Sequence, residues 1–272
     1  MGHQSPISGL YWVSGFPHLL REELSPGYKD LATAAREVGK DIKRTGAKRI
    51  LYYSTQWLSV LGVSFQAGRN LKGEHVDENW HDLVASLPFD FKVDRGMAEK
   101  LAEEARGAGF QPALIDFVGF PVDTATIVAD SLINEDGLCV NMVSSHVYAD
   151  AAATRALAAS LAGALEQDNT ETAIVVVSGL SGYGFTDEID LREDRYRDEK
   201  YRRLDEKLLA LWQKGSYSEA DDYVGGYGAE ARADMGLKAY HFLRGFMGSR
   251  QQSAEVLSLA PVNGQGAAVI KF

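Results

Sequence analysis

The chain has 272 residues, 45% of them hydrophobic and 24% charged, which describes a globular protein with enough apolar material for a large core. Its formal net charge of −10 argues against a nucleic-acid-binding groove, which requires a basic face. The sequence contains neither an apolar run long enough to span a bilayer nor a signal-peptide profile at its start, so we expect a cytoplasmic protein.

Apolar runs of strand length alternate with segments of helical periodicity along the chain. The predicted strands are Ile7–Val13, Arg49–Ser54, Ala113–Phe117, Leu138–Val143, Ala173–Val177, Glu255–Leu259 and Ala267–Ile270. The predicted helices are one containing Leu31 to Ile42 that ends near Gly46, and residues 96–107, 149–165, 198–212 and 229–246. This order predicts one α/β domain over residues 1–272, with a central sheet covered by helices on both faces. The last two strands have no helix between them, so we expect a mixed sheet.

The single cysteine, Cys139, excludes an intrachain disulfide and any cysteine-rich metal site. It lies inside the predicted strand Leu138–Val143, so we expect a buried thiol and not a nucleophile.

The glycine-rich stretch "SGLSGYG" at residues 178–184 follows the most apolar strand. It does not match a Gly-x-Ser-x-Gly nucleophile elbow, because Tyr183 stands where the second glycine belongs. Neither a Gly-x-Gly-x-x-Gly dinucleotide fingerprint nor a phosphate-binding Walker loop occurs in the sequence. By itself this stretch predicts only a loop at a strand end.

Two of the six histidines, His18 and His146, follow predicted strands and are the plausible site residues. No histidine pair has the i, i+4 spacing of a helical metal motif. The remaining histidines are expected at the disordered terminus, at the surface or packed in a helix: His3, His75, His81 and His241.

Five short segments, in the same order along the chain, resemble motifs of the class III extradiol ring-cleavage dioxygenases. The segments are "VSGFPHLL" (13–20), "RILYYSTQW" (49–57), "DFVGFPVDT" (116–124), "VVVSGLSGYG" (175–184) and "MGLKAYHFLRG" (235–245). The resemblance covers nearly the whole chain and implies the mixed α/β fold of that family.

In that family two histidines and a glutamate hold ferrous iron, and a further histidine serves as acid and base. Carried over by the resemblance, the first ligand falls on Gly15, and His18 matches a later histidine of the same loop that is not a ligand. The second ligand falls on Gln56, and the glutamate falls on Gly236, or on Asp234 if the register differs by two.

The resemblance places the two remaining family histidines on Gly119 and Gly182, the latter being the acid–base position. Glycine offers no side-chain ligand, and the neutral oxygen of glutamine is a poor substitute for imidazole at ferrous iron. Ordinary turn geometry also explains single glycines, so the interpretation depends on the coincidence of positions. We interpret the loop around Gly15 as a metal loop that has lost its ligand.

Within this family the chain most resembles the two-subunit 2-aminophenol 1,6-dioxygenases, in which one of two related subunits carries iron and the other does not. The resemblance implies a non-catalytic α subunit, free of metal and cofactor, that pairs with a homologous β subunit holding Fe(II), as an α2β2 assembly. Aromatic residues are enriched in such interfaces. The candidate tyrosines for this contact are Tyr183, Tyr196, Tyr201, Tyr223 and Tyr227.

Two other interpretations are open at this point. His18 and His146 could form a relocated iron site with Asp116 or Asp123, and iron content would reveal it. Alternatively, the emptied site could bind a small aromatic molecule or a nucleotide as a regulatory ligand, which a thermal-shift assay would detect.

Overall fold

The computed structural model describes residues 5–68, 71–117, 122–182, 188–248 and 252–272, and a large mixed sheet lies at its centre. The strands are β1 (Ile7–Val13), β2 (Arg49–Ser59), β3 (Val63–Gln66), β4 (Leu71–His75), β5 (Leu87–Phe91), β6 (Pro112–Ile115), β7 (Cys139–His146), β8 (Thr172–Val177), β9 (Glu255–Val262) and β10 (Gln265–Lys271). Eight of them form the main sheet in the order β6-β3-β7-β2-β8-β1-β10-β9, and β4 pairs with β5.

The centre of the sheet is parallel, and antiparallel pairs lie on both sides of it, with β3 antiparallel to β7 on one side. Strands β1, β8, β2 and β7 are parallel neighbours, whereas β10 is antiparallel to β1 and β9 is antiparallel to β10. The expectation of a mixed sheet is therefore confirmed. Since parallel strands point the same way, the carboxyl ends of β1, β8, β2 and β7 meet at one edge, where α/β folds place their sites.

Helices pack on both faces of the sheet, as predicted. They are α1 (Pro26–Arg44), α2 (His81–Val84), α3 (Arg95–Gly107), α4 (Thr124–Ile133), α5 (Ala151–Asp168), α6 (Glu199–Gln213), α7 (Tyr217–Glu230) and α8 (Lys238–Met247). Alternate residues of each strand face opposite cores: Tyr52 packs with α1 and α4, and Tyr53 packs with the layer that contains α5 and α8. None of the helices in the described residues is long and apolar enough to cross a membrane.

Helix α1 shows how local sequence sets an element. The side chain of Ser25 accepts a hydrogen bond from the amide of Gly27, and Pro26 occupies the first helical position. Leu31, Val38 and other apolar residues at helical spacing are buried. Lys43 and Arg44 lie in the last turn, where a positive charge favours the helix dipole.

The predicted helix over residues 229–246 is wrong. Helix α7 ends at Glu230, and α8 begins only at Lys238. Between them lies a short turn in which Met235, Gly236 and Leu237 all have positive φ. Apolar spacing continues across this break, so periodicity alone could not reveal it.

The prediction of a buried Cys139 is also wrong. Cys139 is the first residue of β7 and is exposed, whereas the next six residues of that strand are buried. The apolar pattern of the sequence also did not predict α2, α4, α7, β3, β4 or β5. The three missed strands have only four or five residues each. Eight of the ten residues of α4 are buried, two of them threonines, so its sequence shows no single apolar stripe.

Candidate functional site

The carboxyl ends of β2 and β8 meet at the side chain of Asp234. Its Oδ2 atom accepts hydrogen bonds from Thr55 Oγ1 at 2.6 Å, from Ser178 Oγ at 3.0 Å and from the amide of Gly179 at 3.0 Å. Burial raises the pKa of the Asp234 carboxyl, while these hydrogen bonds act in the opposite direction. The carboxylate therefore connects two strand ends.

The end of β1 joins the same network through Ser14. The Ser14 hydroxyl lies 3.4 Å from the carbonyl of Ser178 and donates to the carbonyl of Ala268 at 3.1 Å, and it accepts from the Ala268 amide at 3.0 Å. The indole of Trp12 also donates to the Ser178 carbonyl, at 3.1 Å. The structure thus brings together the ends of β1 and β2, to which the resemblance assigned ligand positions, and the end of β8, to which it assigned the acid–base position.

The space beside Gly15 is filled by helix α4. A Cβ atom on Gly15 would lie 2.5 Å from both the Cβ and the carbonyl oxygen of Ala125, and 2.6 Å from its Cα. Contacts this short do not occur between such atoms, and backbone cannot move aside as a flexible side chain can. A histidine at position 15 therefore has no room in this structure.

The other positions carried over from the family differ in their surroundings. Gln56 is exposed and lies where the pairing of β2 with β7 shifts register. Gly236 has open space around it, but its φ is +62°. Gly182 has φ of +97°, and a Cβ there would lie 2.9 Å from Gln265 Cα. Gly119 lies outside the described residues.

The buried imidazole of His18 has no chemical partner in the described residues. It is fully buried, and neither ring nitrogen forms a hydrogen bond there. Its ring packs edge-on against Trp80 at 4.4 Å and Tyr28 at 5.5 Å between centroids. Burial lowers the pKa of His18 to about 4, so the ring is neutral at pH 7.

The structure does not assemble the alternative iron site. Asp116 forms an ion pair with Arg95 at 2.9 Å, and Asp123 caps helix α4 and accepts a hydrogen bond from Ser54 at 2.7 Å. Throughout the described ranges, no three His, Cys, Asp or Glu side chains are grouped so that they could hold a metal ion. Neither the ancestral positions nor the relocated set fits a two-histidine, one-carboxylate iron centre.

A second buried carboxylate near the glycine-rich loop was missed by sequence reasoning. Asp205 is fully buried and accepts hydrogen bonds from Ser181 Oγ at 2.7 Å and from Tyr227 OH at 2.5 Å. Burial raises the pKa of Asp205 to about 6. It joins the loop after β8 to α6 and α7. The one sequence signal for this role is the helical spacing of Asp205 from Leu208, Leu209 and Trp212, which places an acidic residue on the apolar face of α6.

The chain matches a family model over almost its whole length. Residues 9–270 match the model described as the catalytic LigB subunit of aromatic ring-opening dioxygenase. The chain belongs to this family. The resemblance to class III extradiol dioxygenases and the predicted fold class are therefore confirmed.

Individual relatives include both subunits of one enzyme. This LigB-family chain is 33% identical over 261 residues to the 2-aminophenol 1,6-dioxygenase alpha subunit of a Pseudomonas species, covering 95% of each chain. It is 21% identical over 287 residues to the 2-aminophenol 1,6-dioxygenase beta subunit of a Pseudomonas species, covering 96% of this chain and 93% of that one.

The solved structures also show the fold. An uncharacterized protein, JW3007 of Escherichia coli K12, aligns with a TM-score of 0.61 at 12% identity, over 97% of this chain and 98% of that one. At this identity the likeness concerns the fold alone.

Proposed function

We propose that this chain, as one domain, is the non-catalytic α subunit of a two-subunit extradiol dioxygenase that opens the ring of an aminophenol or catechol. In this proposal a homologous β subunit holds Fe(II) and carries out the reaction with dioxygen, and the two form a cytoplasmic α2β2 assembly. This chain contributes contacts and no reacting groups.

The observation that carries the proposal is the packing of Ala125 against Gly15. A chain that had merely exchanged one ligand would keep the space for it, whereas here helix backbone occupies that space. The buried carboxylate of Asp234, at the ends of β2 and β8, is already bonded to Thr55, Ser178 and Gly179. The 33% identity to a protein named as an alpha subunit supports the same assignment.

The tyrosines considered from sequence do not form a common exposed surface. Tyr227 is buried and bonded to Asp205, which contradicts a contact role for it. Tyr196, Tyr201 and Tyr223 are half-buried, and Tyr183 lies outside the described residues.

A different surface is apolar and exposed. Val60, Leu61, Phe110 and Tyr148 line an open groove of about 560 Å³, and we call these four residues the apolar corner. Leu61 is 86% exposed and Tyr148 is 77% exposed. The segments 58–62, 109–114 and 146–149 contain no Asp, Glu, Lys or Arg in a chain that is 24% charged, and Asp150 is the charged residue among the described groove-lining residues. Depletion of charge around exposed aromatic and aliphatic side chains is typical of the centre of an interface.

Strand pairing does not suit the neighbouring sheet edge. The carbonyl of Gln111, just before β6, accepts a hydrogen bond from the Val63 amide, and the carbonyl of Ile115, at the end of β6, accepts one from the Ala67 amide. Because backbone groups of alternate residues point to opposite sides of a strand, the backbone of Pro112 points away from β3, toward the open edge of the sheet. Proline has no amide hydrogen to offer a further strand. The proposal therefore assigns the contact with the homologous β subunit to side chains of the apolar corner.

Co-expression with an iron-bearing homologue tests the pairing. We expect the two chains to copurify at one to one, and the chain alone to self-associate because its apolar corner is exposed. Sizing chromatography with light scattering gives both results. A well-behaved monomer that is unaffected by the homologue would refute the proposal and favour a ligand-binding module.

Metal analysis separates the proposal from an active enzyme. After anaerobic incubation with ferrous iron and desalting, we expect far less than one iron per chain, because the described residues do not assemble a ligand set. Stoichiometric iron in the chain alone would identify it as an enzyme with a relocated site.

A further inference from the structure

The turn between α7 and α8 has an unusual backbone. Met235, Gly236 and Leu237 have φ of +46°, +62° and +62°, so three successive residues are left-handed. Residues with a Cβ visit this region mainly singly, because the Cβ crowds the following carbonyl oxygen. Contacts from the rest of the protein must therefore hold this turn in place.

Hydrogen bonds fix the residue before the turn. The Asp234 carboxylate accepts from Thr55, Ser178 and the amide of Gly179, at 2.6 to 3.0 Å. The Asp234 amide donates to the carbonyl of Leu180 at 3.0 Å. Asp234 is thereby bonded to the ends of both β2 and β8.

Hydrogen bonds also fix the residue after the turn. Lys238 is only 9% exposed, and its ammonium group donates to the carbonyls of His146 at 2.6 Å and Val147 at 2.5 Å. These carbonyls lie at the end of β7, directly before Tyr148 of the apolar corner. The amide of Val147 in turn donates to the carbonyl of Ser59 at 2.8 Å.

We propose that Asp234 and Lys238 form a metal-independent clamp, which holds the left-handed turn against the ends of β2, β8 and β7 and thereby positions the apolar corner. Two of these strand ends carry positions that the family resemblance assigns to a metal centre: Gln56 on β2, a ligand position, and Gly182 after β8, the acid–base position. The inference goes beyond the proposed function, since the clamp acts within the isolated chain whether or not a partner binds.

Hydrogen exchange on the isolated chain tests the clamp. Thr55→Val keeps the side-chain shape and removes one donor to Asp234, while Thr55→Ser keeps the hydroxyl and serves as the control. We expect amide exchange in residues 176–182 and 234–238 to accelerate about tenfold or more in Thr55→Val, because hydrogen bonds to charged groups are strong, and to stay near the parent rate in Thr55→Ser. Unchanged exchange in Thr55→Val would overturn the proposal.

The turn itself provides a second test. Met235→Gly removes a left-handed Cβ, so it should raise the melting temperature of the parent by about 2 to 4 °C. In the Thr55→Val background the loosened turn should relax and this gain should shrink or disappear. An equal gain in both backgrounds would show that the clamp does not maintain the left-handed turn.

Two further arms complete the experiment. A chelator should leave exchange of the parent chain unchanged, and acceleration by the chelator would show that a metal ion and not the clamp holds these strands.

If Thr55→Val does not fold, Lys238→Met with Lys238→Arg as its control carries the same measurement at residues 145–149. Faster exchange in both Lys238 variants would support the clamp and show that the arginine side chain cannot replace the contacts of the Lys238 ammonium group with His146 and Val147. Exchange at the parent rate in Lys238→Met would overturn the proposal.

Discussion

Two neighbouring parts of one sheet edge have opposite surroundings. Around Asp234, polar groups at the ends of β1, β2 and β8 are hydrogen-bonded to one another, and Ala125 fills the space beside Gly15. Just beyond the ends of β2 and β7, the apolar corner exposes Leu61 and Tyr148 to solvent. The first region is completed by the chain's own groups, whereas the second buries its apolar surface only if another molecule covers it. A chain that has lost a reaction but kept a partner would show this difference.

The largest expected effect comes from restoring a side chain at position 15. Gly15→Ala should lower the free energy of unfolding by about 1 to 3 kcal/mol, and Gly15→His by more, because α4 must move. As a control, Gly163→Ala lies inside α5 with nothing within 4 Å of the added Cβ, and should stabilise by about 0.5 to 1 kcal/mol. Urea unfolding measures all three.

The combined variant Gly15→His, Gln56→His and Gly236→Glu should not open an aromatic ring. Helix α4 blocks position 15, and position 182 is still glycine where the family has its acid–base histidine. Oxygen-electrode assays with aminophenol and catechol substrates measure this. Ring opening by that variant alone would show that α4 can move away from position 15 and that this region can still accept an iron site.

His18 should make the closed region sensitive to acid. Its pKa of about 4 lies below its ordinary value of 6.5, so the fold holds the neutral ring. Stability from this group is complete above pH 6.5 and is lost as the pH falls from 6.5 to 4, by on the order of 3 kcal/mol. His18→Leu and His18→Gln should both lack this loss, and only His18→Leu should match or exceed the parent at pH 7, because the buried polar nitrogens are gone. Urea unfolding at several pH values between 7 and 4 measures this. If the free energy of unfolding falls equally in the parent and in both variants, His18 is not the group responsible.

The smallest effect on stability, and a clear effect on assembly, is expected at the apolar corner. Leu61→Asp and Tyr148→Asp should change the free energy of unfolding by less than about 0.5 kcal/mol and weaken binding of the homologous subunit about tenfold or more. Val76→Asp is the matched control, since Val76 is 57% exposed elsewhere on the surface. Biolayer interferometry measures the binding. If binding weakens equally in all three variants, the apolar corner is not part of the interface.

The sequence predicted which residues lie in the site region, but not which atoms of those residues contact one another. The order of five short motifs placed Gly15, Gln56 and the segment around Asp234 in one region, and the structure brings the ends of β1, β2 and β8 together. The sequence left the register between Gly236 and Asp234 open. In the structure Asp234 faces the strand ends and Gly236 faces open space, so Asp234 is the residue that we now propose for the ancestral carboxylate position.

The sequence by itself determined the alternating elements, the helices on both faces and the mixed sheet, because these depend on local periodicity and on which strands have a helix between them. It also determined the family, because short motifs in a fixed order survive the loss of individual side chains. Only the tertiary structure decided that α4 fills the space at Gly15, that the helix predicted over 229–246 is broken by a left-handed turn, and that Cys139 is exposed. These three features depend on contacts between segments distant in sequence or on the position of a residue at the end of its strand, and apolar periodicity contains no information about either.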